Sequence, residues 1–127
     1  MAPKLIDIDH IHIFVADRRA AETWYARVLG LKRTPELEVW AAQGGPLTLQ
    51  NEDGSVHLAL FERPTTPCRS TVALRTSQLG FEQWREHLEA LLPGAVEFED
   101  HQLSHSLYFS DPDGNPFEVT TYEVNQQ

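Results

Sequence analysis

Cysteine is almost missing from this chain. Cys68 is the only one, which excludes an intrachain disulfide framework and a thiolate-rich metal centre. Any metal would have to be held by imidazole or carboxylate groups. Long apolar runs are missing too: no stretch approaches the roughly 18 residues that a membrane-spanning helix needs. The opening MAPKLIDIDH also lacks the apolar core of a secretory leader, so the expected location is the cytoplasm and no membrane partner is expected. Basic residues are scarce, with 10 Lys and Arg against 19 Asp and Glu and a formal charge of −9. Nucleic acid and anionic lipid both require a basic face, so neither is expected as a partner. The acidity favours solubility and would equally suit a cationic ligand.

What is present is enough for one ordinary domain spanning 1–127, since 127 residues of which 41% are apolar can bury a real core. DIDHIHIFV alternates apolar and polar residues as a half-buried strand does, with Ile11 and Ile13 on one face and His10 and His12 on the other. ADRRAAETWYARVLGLK reads as a helix capped by Asp17 and ended by Gly30, with Ala21, Trp24, Tyr25, Val28 and Leu29 inward. ELEVWA, PLTLQ and SVHLALF read as three short strands, the last two joined through an Asp-Gly turn. ERPTTPCRS, rich in Pro, Thr and Ser, is the connector. The pattern then repeats: STVALRT as strand, a helix capped by Ser77 with Phe81, Trp84, Leu88 and Leu91 inward, and AVEFE, SHSLYFS and PFEVTTYE as strands. The expected architecture is α+β: two tandem βαβββ units, 5–62 and 70–123, joined by connector 63–69. They should form a cupped, barrel-like mixed sheet with the helices outside. A shift of 61 residues lays His10 on Thr71 and His57 on Glu118.

Strand alternation then sorts the polar residues. Val56, Leu58 and Leu60 share one face and His57, Ala59 and Phe61 the other; Phe117, Val119 and Thr121 oppose Glu118, Thr120 and Tyr122. The apolar faces should pack under the helices, which turns His10, His57 and Glu118 toward the cavity. A carboxylate there needs a partner or a cation, and two imidazoles with one carboxylate form the facial triad that holds a divalent metal with open positions. Iron, manganese, nickel and zinc all accept such a set. His12 is placed either as a support behind the ligands or as a proton carrier; His87, His101 and His105 receive no role.

The stretches DHIHIFVADRRAAETWYARVLGLK and SLYFSDPDGNPFEV resemble the vicinal oxygen chelate superfamily, which includes glyoxalase I, fosfomycin resistance proteins, extradiol dioxygenases and bleomycin resistance proteins. The resemblance covers essentially the whole chain and implies paired βαβββ units, often completed across a homodimer. It also implies metal ligands on the first and last strands of each unit, carried here by His10, His57 and Glu118. The fourth ligand position falls on Thr71, a departure from members with histidine there, and Thr71 is assigned to substrate instead. Tyr108, ten residues before Glu118, matches the tyrosine that hydrogen-bonds substrate in extradiol dioxygenases, although an ordinary strand aromatic would sit there equally well.

Two functions follow as expectations. One is a metal-dependent lyase, isomerase or dioxygenase-like enzyme that binds a small substrate through neighbouring oxygens and stabilises an enolate or oxyanion. His12, Tyr108 and Glu118 are its candidate catalytic residues. The other is a metal-free protein of the bleomycin resistance type, sequestering a small, cationic ligand against a wall of Trp40, Phe61 and Tyr122. In either case the partner is a small molecule and the assembly a homodimer.

Overall fold

The computed structural model describes residues 2–66 and 68–124; Pro67, within the expected connector, lies outside them. The chain separates into two compact units, Met1–Thr65 and Thr66–Gln127.

Unit one runs β1 (Ile11–Val15), α1 (Arg18–Trp24), β2 (Lys32–Arg33), α2 (Glu38–Ala42), β3 (Leu47–Gln50) and β4 (His57–Glu62). Asp17 caps α1 by accepting from the Ala20 backbone N–H at 3.1 Å. A π-turn over Tyr25–Leu29 continues the helix, and Gly30, at φ 70°, ends it in the left-handed conformation that glycine adopts without penalty. Ala21, Tyr25, Val28 and Leu29 are buried as the helical spacing requires. The sheet order is β1-β4-β3-β2, with β1 parallel to β4 and the other pairs antiparallel. Leu47, Leu49, Leu58 and Leu60 fill one face, each at most 3% exposed.

ELEVWA is not a strand. Thr34 leads into a 3-10 turn at Pro35–Leu37, with proline at its start, and α2 follows. Proline's fixed φ favours the opening of a helix over the middle of a strand, and it overrides the alternation of Leu37, Val39 and Ala41. The strand of this region is instead the two-residue β2, paired with Leu49 and Gln50. The first strand is also shorter than expected: Ile8 is 77% exposed and His10 lies just before β1.

Unit two runs β5 (Val72–Arg75), α3 (Gln78–Leu91), β6 (Glu97–Asp100), β7 (His105–Ser110) and β8 (Pro116–Thr121). Ser77 caps α3 by accepting from Gly80 N–H at 3.1 Å, and Phe81 and Leu88 are its buried residues. The sheet order is β5-β8-β7-β6, again with only the first pair parallel. Leu107, Phe109, Phe117 and Val119 form its buried face, with the Phe109 and Phe117 rings stacked at 5.8 Å. Asp111 opens the β7–β8 turn. Its side chain accepts from the backbone N–H groups of Asp113 and Asn115 at 2.9 and 2.8 Å, the local closure that makes DPDGN a turn.

The fold is α+β, with two four-stranded mixed sheets and three helices. Among the described residues neither sheet closes on itself, and each keeps edge strands. Among the described residues no helix is long and apolar enough to cross a membrane.

Candidate metal and substrate site

In unit one the ladder sets the polar face. Gln50 stands opposite His57 and Thr48 opposite Ala59 on β3 and β4, while His12 is the parallel partner of Ala59. Directly opposed residues share a face. His10, His57, Trp40, Thr48 and Ala59, with Asp9, Leu37 and Pro46, line one pocket of about 100 Å³. Trp40 reaches it from helix α2, not from the strand expected for it.

Each imidazole is held by a neighbour. Asp9 Oδ2 lies 2.7 Å from His10 Nδ1, so the His10 proton belongs on Nδ1 and Nε2 is left with its lone pair. Gln50 Oε1 lies 3.2 Å from His57 Nε2. A side-chain carbonyl can only accept, so His57 donates from Nε2 and its Nδ1 is the bare atom. His12 Nε2 is 3.0 Å from His10 Nε2, and its ring rests against Phe61 at 4.6 Å. Thr48 is 4% exposed, and its hydroxyl has no hydrogen-bond partner in the protein.

In unit two Glu118 is half-buried on β8. Ser106, fully buried on β7, donates its hydroxyl to Glu118 Oε2 at 2.7 Å, which orients the carboxylate and leaves Oε1 free. Thr120 Oγ1 lies 3.2 Å from Ser106 Oγ and donates to the His105 carbonyl at 3.0 Å. Tyr108 stands directly opposite Glu118, and its hydroxyl is engaged by His101 Nε2 at 3.1 Å. Thr71 is exposed just before β5 and Tyr122 is 67% exposed just after β8.

The site residues thus fall into two sets: His10, His12, His57, Trp40 and Phe61 in unit one, and Thr71, Tyr108, Glu118 and Tyr122 in unit two. The repeat alignment holds for the face and not for the rung. Ile11 pairs with Leu58 where Val72 pairs with Phe117, so on the ladder Glu118 corresponds to Ala59, two residues beyond His57 on the same face. Five residues without an assigned role in the sequence reading hold or floor the site: Asp9, Gln50, Ser106, His101 and Thr48. Asp9 and Gln50 were findable, one adjacent to a candidate ligand and the other across a short turn from it. Ser106 and Thr48 needed the ladder.

Larger hollows lie elsewhere. One of about 520 Å³ in unit one is lined by Arg18, Arg19, Glu22, Arg33 and Glu38 among others. Its Arg18 guanidinium is already donating to the Gly45 carbonyl at 2.8 Å, and Arg33 is paired with Glu22. It gathers neither an imidazole nor an unpartnered buried group, so the smaller pocket is the better site. Among the described residues no group of three or more His, Cys, Asp or Glu side chains is gathered to hold a metal ion. Each unit nonetheless carries groups whose chemistry suits a divalent cation: in unit one two imidazoles on one pocket, His57 with a bare Nδ1 and His10 with Nε2 facing His12, and in unit two a carboxylate with one oxygen occupied.

Two sheets of identical strand order, each with a parallel first pair and metal-compatible groups on its polar face, define the class as the vicinal oxygen chelate fold. A family model described as the glyoxalase/bleomycin resistance protein/dioxygenase superfamily matches residues 7–119, and the chain belongs to that superfamily. Among solved structures it is similar to a lactoylglutathione lyase from Agrobacterium tumefaciens, with 22% identity and a TM-score of 0.73 over 93% of this chain and 95% of that one. A glyoxalase/dioxygenase from Nostoc punctiforme has 21% identity and a TM-score of 0.72 over 95% and 94%. The fosfomycin resistance protein FosX from Listeria monocytogenes, complexed with Mn(II) and sulfate, has 14% identity and a TM-score of 0.67 over 93% and 91%. At these identities the likeness concerns the fold. No curated protein matches the sequence.

Proposed function

We propose that this chain is a metal-dependent enzyme acting on a small molecule with two neighbouring oxygens, and that His10, His57 and Glu118 are its metal ligands. The observation that carries this reading is the outer partner on each donor. Asp9 on His10, Gln50 on His57 and Ser106 on Glu118 each fix a ligand's orientation; His57 Nδ1 and Glu118 Oε1 are left bare, and His10 Nε2 faces His12 Nε2. Such partners are characteristic of metal-ligating side chains, and three together are not needed by ordinary strand residues. A bound divalent cation supplies Lewis acidity, polarising the substrate oxygens and stabilising an enolate or oxyanion.

The chain's own groups do the rest. Trp40 gives the pocket an apolar wall, and Thr48 belongs to its lining. Tyr108, its hydroxyl oriented by His101, offers a phenol on the same sheet face as Glu118. The Mn(II) in the similar FosX structure is in keeping with this reading.

Elemental analysis of unchelated protein tests it, alongside His57→Ala. Near-stoichiometric iron, manganese, nickel or zinc is expected, and its loss in the variant. Full metal content in His57→Ala, or none in the wild type after incubation with each ion, would overturn the triad. The second outcome would favour the metal-free ligand-binding alternative.

A further inference from the structure

His12 is an imidazole that the proposed ligand set does not use. It is two positions beyond His10, so along an extended chain both side chains leave the same face. Their Nε2 atoms stand 3.0 Å apart, and the rings lie 5.0 Å apart at 22°. Asp9 holds the His10 proton on Nδ1, so His10 Nε2 carries a lone pair and lies beside His12 Nε2. Two nitrogens facing each other at that distance can share one proton or one cation. The pair is also held in place: β1 is locked to β4 through the His12–Ala59 rung, and Phe61 packs on the His12 ring.

The separation is short enough for one ion to bind both nitrogens at ordinary metal–imidazole distances of about 2.1 Å.

We infer that His12 is itself a metal ligand, chelating one divalent cation with His10 through the two Nε2 atoms. The inference rests on the metal-dependent reading above, because His10 belongs to both. It gives the first strand two ligands.

Cobalt(II) titration of the metal-stripped full chain decides it, comparing wild type with His12→Ala, His12→Thr and His57→Ala. Binding is followed by visible absorption and by counting the paramagnetically shifted, exchangeable imidazole N–H proton signals. Both His12 variants are expected to bind Co(II) at least about tenfold more weakly and to lose one shifted N–H signal. Their metal-free unfolding curves should match the wild type, because His12 is exposed on its strand. Unchanged affinity and signal count in both His12 variants, with binding lost in His57→Ala, would remove His12 from the shell and leave the triad standing. A wild-type protein that binds no Co(II) would overturn the inference and the metal reading together.

Discussion

The two units share a plan down to the closure of their helices, yet differ in what they carry. In unit one, Glu62 at the end of β4 accepts from the backbone N–H of Arg18, the first residue of α1, at 2.9 Å. In unit two, Glu123, just past β8, accepts from the backbone N–H of Gln78, the first residue of α3, at 3.1 Å. Each helix start is thus satisfied twice, by its cap and by a carboxylate from the end of the same unit's last strand. The differences lie in between. Unit one inserts α2 between β2 and β3, shifts its parallel pair by two residues, and holds three histidines at its polar face. Unit two has an uninterrupted 14-residue α-helix and a carboxylate. Repetition has preserved topology and face, while register and chemistry have diverged.

The comparison can be tested most forcefully in the cores. Leu58 and Leu107 are both 0% exposed, and truncating each to alanine should cost about 2–5 kcal/mol, measured by urea unfolding. A cost below about 1 kcal/mol for either would show that the two buried faces are not equivalent.

A smaller effect is expected from the outer partners. Ser106→Ala removes the donor to Glu118 and should cost about 1 kcal/mol of stability, with metal affinity lowered about 10-fold to 100-fold. Gln50→Leu should lower affinity similarly through His57. If only one of the two variants changes affinity in a metal titration, the units do not contribute alike.

The smallest effect separates the units by charge. Glu22, in unit one, has its carboxyl held below the usual carboxylate value chiefly by the hydrogen bond from Arg33. Because the folded value is the lower one, the stabilisation is present above about 4.5 and fades as the pH falls through the folded value. Arg33→Met should therefore lose at most about 1 kcal/mol at neutral pH, and the difference from wild type should vanish in acid. Urea titrations at the two pH values measure it; a difference that persists in acid would assign the effect to packing.

Much of this was legible in the residues because the signals were local. Asp17, Gly30 and Ser77 mark helix ends through their own backbone chemistry, and the alternation of SVHLALF and PFEVTTYE fixes which residues share a face. α2 was misread because ELEVWA alternates as a strand does, while Pro35 and the packing that follows select a helix. The two-residue offset of Glu118 was invisible because a shift by two keeps every side chain on its face; only hydrogen-bonded pairing distinguishes one rung from the next. Ser106 and Thr48 were silent for the same reason, being small polar residues whose importance comes from the strand beside them.

Thr48 also sets a thermodynamic tension. A buried hydroxyl left without a partner weighs on the fold by on the order of 1–3 kcal/mol, and β3 retains it where valine would fill the same shape. The protein thus forgoes some stability beside its pocket, and Thr48→Val, which keeps the shape and removes the unpaired hydroxyl, should return it in urea unfolding.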